Sequence, residues 1–190
     1  MARQRRARRS VRWPWVLLGL ALAALAAGGV TVLVTLVRHH RIVTAVPVAA
    51  GLRRSGADAQ RTADTLLAAV VSAAGRDPVA VAYGAPGDPP LLVVGGRLGA
   101  FDDGATALRS ITRTFAVSAF RSGTGPVRFA DQPAGPLGGL TRCASVRVGA
   151  APSAVCGWSD RDTVGIAVSP VRTQEQLAAL LGRARVDLER

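Results

Sequence analysis

The chain has 190 residues, with 24 basic and 12 acidic side chains and a net charge of +12. Its cationic residues are all arginine, and asparagine is absent, which excludes N-linked glycosylation. Eight arginines lie at or before Arg41 and every acidic residue lies after it, so the remainder carries only +4 and gives no ground for a nucleic-acid partner.

The first twelve residues, MARQRRARRSVR, hold six arginines, and Trp13 to Val37 then runs without a charged side chain. Twenty-five helical residues rise about 37 Å, enough to cross a hydrocarbon core of about 30 Å once with some tilt. The arginine asymmetry sets residues 1–12 in the cytoplasm, 13–37 as a transmembrane signal-anchor and everything beyond as extracytoplasmic. Cleavage as a signal peptide is the competing reading, but it would leave the apolar VTVLVTLV at a new N-terminus. Residues 38–54 read as a connector, with His39 and His40 at the interface and Pro47 opposing a continuous helix.

Residues 55–190 are of a length for one domain. Ala59, Ala63, Leu66, Leu67, Val70 and Ala74 recur at helical spacing, with Ser55 and Asp58 placed as a capping box and Gly75 as the stop. DPVAVAYG and LLVV read as two strands of a hairpin joined by PGDPP. Phe101, Asp102 and Asp103 introduce a second helix striped by Leu108, Ile111, Phe115 and Ala119, with Asp102 or Asp103 as its cap. After VRF and the loop DQPAGPLGG come three strands, TRCASVRV, SAVCGW and TVGIAVS. A capping box at Thr173 and Gln176 opens a last helix carrying Leu177, Leu180, Leu181, Ala184 and Leu188. This order predicts an α+β fold, an antiparallel sheet with amphipathic helices packed on one face.

Cys143 and Cys156 are the only cysteines. Outside the cytoplasm an even pair on adjacent strands reads as a disulfide. A hairpin loop at VGAA (148–151) sets Cys143 opposite Cys156, and alternation puts Trp158 on the same face as the bridge. A metal site needs about four ligands, which the outer domain does not offer, so neither metal nor another cofactor is expected. With no histidine after position 40, a Ser/His/Asp or Cys/His constellation cannot be assembled there. Asp160 and Asp162 in SDRD are the carboxylates left for hydrolytic chemistry, although a polar turn explains them more simply.

Pro136 to Gly139 (PLGG), Cys143, Cys156, Trp158, Asp160 and Thr163 to Gly165 form a pattern. It resembles the C-terminal part of uncharacterised actinobacterial single-pass membrane proteins. The resemblance covers about 50 residues strongly and implies a cell-envelope location without implying an activity. Those proteins often carry a longer proline-rich cytoplasmic segment than this arginine tail.

Taken together, the expected protein is a non-enzymatic binding or interaction module. Its partners would be the lipid bilayer and another envelope protein or polymer, with Trp158, Asp160 and Asp162 as a surface patch. A carboxylate-dependent envelope hydrolase using Asp160 and Asp162, or Asp102 and Asp103, is the alternative. The topology has a direct test: protease added to intact spheroplasts should remove a C-terminal tag, and a protected tag would reverse the orientation.

Overall fold

The computed structural model describes residues 41–189 except Pro86, Phe101, Thr124, Gly149 and Ala150. The expected arginine tail, membrane span and interfacial histidines lie outside the described residues, as does Phe101. Among the described residues no helix is long and apolar enough to cross a membrane.

The elements in chain order are β1 (Val48–Ala49), β2 (Leu52–Arg53), α1 (Ala57–Val70) with a short 3-10 turn (Val71–Ala73), β3 (Arg76–Tyr83) and β4 (Leu91–Arg97). They continue as α2 (Gly104–Arg121), β5 (Ala130–Gln132), β6 (Leu140–Val148), β7 (Ala151–Ser159), β8 (Thr163–Pro170) and α3 (Gln174–Leu188). β1 and β2 form a small hairpin, and the other six strands form one sheet in the order β3-β4-β8-β7-β6-β5, every pair antiparallel. The class is α+β, as the sequence predicts.

The helices do not share one face. α1 and α2 cover one side, where Ala63, Val70, Leu108, Ile111 and Phe115 meet Ala82, Val94, Val155 and Ile166. α3 and the segment around Val43, Val46 and Ala49 cover the other, packing Leu177, Leu181 and Leu188 against Val81, Val93, Cys156 and Trp158. The reason lies in the strands: Leu91 to Val94 and Ile166 to Val168 are apolar at consecutive positions, so both faces need cover.

Residues 41–54, expected as a connector, belong to the domain. Val43 bridges to Glu189, the Thr44 amide donates to the Leu188 carbonyl at 2.8 Å, and the Ala50 amide donates to Asp187 Oδ2 at 2.8 Å. Tyr83, fully buried, donates its hydroxyl to the Val46 carbonyl at 3.0 Å, and burial pushes that phenol above its usual pKa.

The capping box at Thr173 and Gln176 is present. The one expected at Ser55 and Asp58 is not: Gly56 is the N-cap of α1 without a side-chain bond, and the Ser55 amide instead donates to the Ala82 carbonyl, tying the chain to β3.

Cys143 pairs opposite Cys156 and is bonded to it, with a Cα–Cα distance of 4.1 Å, so the register expected of the hairpin is the one found. Pairing extends to Val148 and Ala151, which makes the loop shorter than VGAA. A closed loop of this length stabilises by about 3 kcal/mol in the chain-entropy model.

Trp158 lies beside the bridge with no exposed surface, and its indole fits because the facing positions on the next two strands are Gly165 and Gly95. A Cβ on Gly165 would stand 2.1 Å from Trp158 Cη2 and 2.5 Å from the Val94 oxygen. Gly165→Ala should therefore cost about 1–3 kcal/mol or more by overpacking, part of it recovered in a Trp158→Leu background. Additive losses in the thermal unfolding of the two single variants and the double would refute this packing.

Candidate functional site

Two polar assemblies stand out, and only one is open to solvent. The closed one is built around Arg185 on the last turn of α3, which has no exposed surface. Each of its five N–H groups has a protein acceptor. Nε donates to Glu189 Oε1 at 2.6 Å, Nη1 to the carbonyls of Ala134 (3.2 Å) and Gly138 (3.0 Å), and Nη2 to Asp160 Oδ2 (2.6 Å) and Glu189 Oε2 (3.4 Å). Arg41 lies over the same carboxylates, 3.1 Å from Asp160, 3.5 Å from Asp162 and 3.5 Å from Glu189.

The sequence places each partner for a local reason. Asp160 closes the β7–β8 turn, its Oδ1 accepting from the amides of Asp162 and Thr163. Gly135 and Gly182 touch backbone to backbone, a Cβ on Gly135 falling 2.8 Å from Gly182 Cα, so the 134–138 loop can lie against α3 within reach of Arg185. Burial pushes the Asp160 carboxyl up, but the two turn amides and the guanidiniums of Arg185 and Arg41 together outweigh it and hold the pKa below 3.8. For Glu189 burial prevails over Arg185, and the neighbouring Asp160 adds to it, so its pKa stands above 4.5.

The expected surface patch is therefore corrected. Trp158 is core, its Nε1 donating to Thr163 Oγ1 at 3.4 Å, and the Asp160 side chain is 4% exposed. Asp162 belongs to the rim of the same cluster beside Arg41. Asp103 caps α2 by accepting from the Thr106 amide at 2.9 Å, while Asp102 accepts from the Gly99 amide at 2.6 Å in the loop before it. Among the described residues no group of three or more His, Cys, Asp or Glu side chains is placed to hold a metal ion.

The open assembly is a groove of about 880 Å³ between α2 and the strand-edge segment that leads through β5 to β6. The apolar stripe of Leu108, Ile111 and Phe115 fixes α2 on the sheet, and the groove wall is the adjacent flank, Thr106, Arg109, Ser110, Arg113 and Thr114. Val127, Arg128, Phe129 and Arg142 line the opposite side, with Thr112 and Ala116 at the floor of the helix flank. Arg109 donates to Thr106 Oγ1 at 2.7 Å and lies 3.9 Å from Asp103. Arg142 donates from Nη2 to the Phe129 carbonyl at 3.1 Å; its Nε, buried and 2.9 Å from Asp131 Oδ1, makes no hydrogen bond because the N–H is not aimed at that oxygen. Arg113 and Arg128 are exposed and form no ion pair with any of the described residues.

Sequence reading passed over this groove. Its signal was present as TALRSITRT, in which a hydroxyl and an arginine three residues on recur after one helical turn, followed by the separate VRF.

No family model matches the chain, and neither a curated protein nor a solved structure is found that matches it.

The buried cluster makes a signed prediction. Asp160, its folded pKa lowered, contributes stability that is present above 3.8 and lost as pH falls through the lower folded value; Glu189, its pKa raised, contributes stability below 4.5 that is lost as pH rises through its folded value. Asp160→Asn should cost about 3–5 kcal/mol near neutral pH, because it leaves Arg185 short of its anion, and the gap to wild type should close on acidification. Glu189→Gln should flatten the decline above pH 4.5. Parallel unfolding curves for wild type and variants from acid to neutral pH would contradict both directions.

Proposed function

We propose that the chain is a single-pass, membrane-anchored protein whose extracytoplasmic domain is a non-enzymatic cell-envelope binding module, with the arginine groove as its binding surface. The anchor rests on the charge-free stretch from Trp13 to Val37 and the arginines before it. The observation that carries the binding role is the pair Arg113 and Arg128, two exposed guanidiniums without acid partners among the described residues, in a groove also lined by serine and threonine hydroxyls. A surface that concentrates uncompensated positive charge favours an anionic partner. Of the two partner classes, an envelope polymer fits an open groove better than a protein does. The exposed side chains of its lining are arginines and hydroxyls, Thr106, Arg109, Ser110, Arg113 and Arg128, while Val127 and Phe129 are half-buried, unlike the apolar centre that anchors protein interfaces.

A carboxylate-dependent hydrolase draws less support. Asp160 and Glu189 are bonded to Arg185 and have Arg41 beside them, so a substrate oxygen would have to displace a guanidinium to reach either one. Their shifted pKa values follow from burial and pairing, which structural ion clusters also produce.

The test is co-sedimentation of the full-length protein, in neutral-detergent micelles, with purified cell-wall sacculi at low and high salt. Binding at low salt that weakens with salt and is lost in Arg113→Ala/Arg128→Ala is expected. Undiminished binding by that double variant would remove the groove from the account, and release of soluble wall fragments would favour the hydrolase.

A further inference from the structure

We infer, resting on the groove reading, that the ligand is a flexible polymer with regularly repeated phosphodiesters, contacted by α2 as a two-step ruler. Thr106 with Arg109 and Ser110 with Arg113 are two copies of one unit, a hydroxyl and a guanidinium three residues apart. The first copy is in contact, Arg109 donating to Thr106 Oγ1 at 2.7 Å while that hydroxyl donates to Asp103 Oδ2 at 2.6 Å. The copies are four residues apart, so they repeat at about 6 Å along the helix axis. A single small anion would use one copy and leave the other idle; anions joined at this spacing engage both, and the second contact becomes intramolecular.

Phosphate suits both guanidiniums. The planar fork takes two oxygens of one phosphate, and at the second copy the exposed Ser110 hydroxyl is a further donor, whereas at the first the Thr106 hydroxyl is committed to Asp103. A three-carbon linker between phosphodiesters gives a spacing of this order. The lining does not favour rigid sugar rings: Phe129 is its only aromatic residue among the described residues, and it is half-buried. Arg128 and Arg142 on the opposite wall add charge. Asp103 and Asp131 offset part of it at Arg109 and Arg142, which leaves Arg113 and Arg128 as the strongest attractors.

Calorimetric titration of the full-length protein in neutral-detergent micelles tests this with oligo(glycerol phosphate) of one, two and four units, inorganic phosphate, oligogalacturonate and anionic phosphatidylglycerol vesicles. Affinity should rise at least tenfold from one unit to two and should exceed that for oligogalacturonate of equal charge. Arg113→Ala should abolish the gain from one unit to two, so that the variant binds both lengths with equal affinity. Arg113 is exposed and outside both cores, so the variant should melt as wild type does, and a lowered melting point would count against its free placement. Equal affinity for one and four units would overturn the ruler and leave the groove reading intact. Tighter binding to oligogalacturonate or to vesicles would overturn the choice of polymer, and no binding to any anion would overturn both the ruler and the reading beneath it.

Discussion

A guanidinium with no exposed surface holds this domain together at one end. An arginine taken out of water needs every donor met and its charge opposed, because an unpaired buried charge costs several kcal/mol. Arg185 reaches that state only when four separate pieces of chain are in place: the end of α3 with Glu189, the 134–138 loop, the β7–β8 turn with Asp160, and, through Arg41 over the same carboxylates, the segment entering the domain. Such an arrangement is weak as a source of net stability compared with an apolar core of the same volume. Its value lies in specificity, since a misplaced loop or a slipped helix leaves the charge exposed to its full desolvation cost.

The same requirement accounts for part of the motif that runs from Pro136 to Gly165. Gly138 supplies a carbonyl to Arg185, and Gly139 approaches the Ser159 oxygen so closely that a Cβ would stand 2.3 Å from it. Asp160 supplies the carboxylate, and Thr163 accepts from the indole of Trp158. The glycine of the T-V-G strand is Gly165, over which that indole lies, and the two cysteines close the hairpin beside it. Eight residues of the motif, Gly138, Gly139, Cys143, Cys156, Trp158, Asp160, Thr163 and Gly165, therefore have a packing or pairing duty in one half of the sheet. A sequence signature of this sort marks how the chain folds and gives little information on what it binds.

What was legible from sequence follows from locality. Helix periods, the capping box at Thr173 and the alternation that sets Cys143 against Cys156 depend on neighbours a few residues apart, and the structure has them. The face covered by α3 is not a local property. It required weighing the apolar runs in β4 and β8 as two-sided strands, and the period-2 reading of the hairpin obscured that. Residues 41–54 looked like a connector because their bonds go to Leu188 and Asp187, more than 130 positions away. Asp160 and Asp162 drew notice as paired acids because the arginines beside them, Arg185 at Asp160 and Arg41 at both, sit on other segments and have no marking in the sequence.

The groove was missed for a different reason: an arginine on an amphipathic helix is ordinarily the solvated face, and nothing in TALRSITRT alone says which flank lies beside another wall. That wall exists because β5, only three residues long, ends the sheet early and leaves the Val127–Phe129 segment to run alongside α2. The two polar assemblies thus divide the arginines by environment. Where five acceptors converge, arginine is a structural strut whose charge is spent inside the protein; where the sheet edge is left short, the same side chain keeps its charge for something outside. In a chain with no lysine, burial and pairing are the observations that separate the two uses.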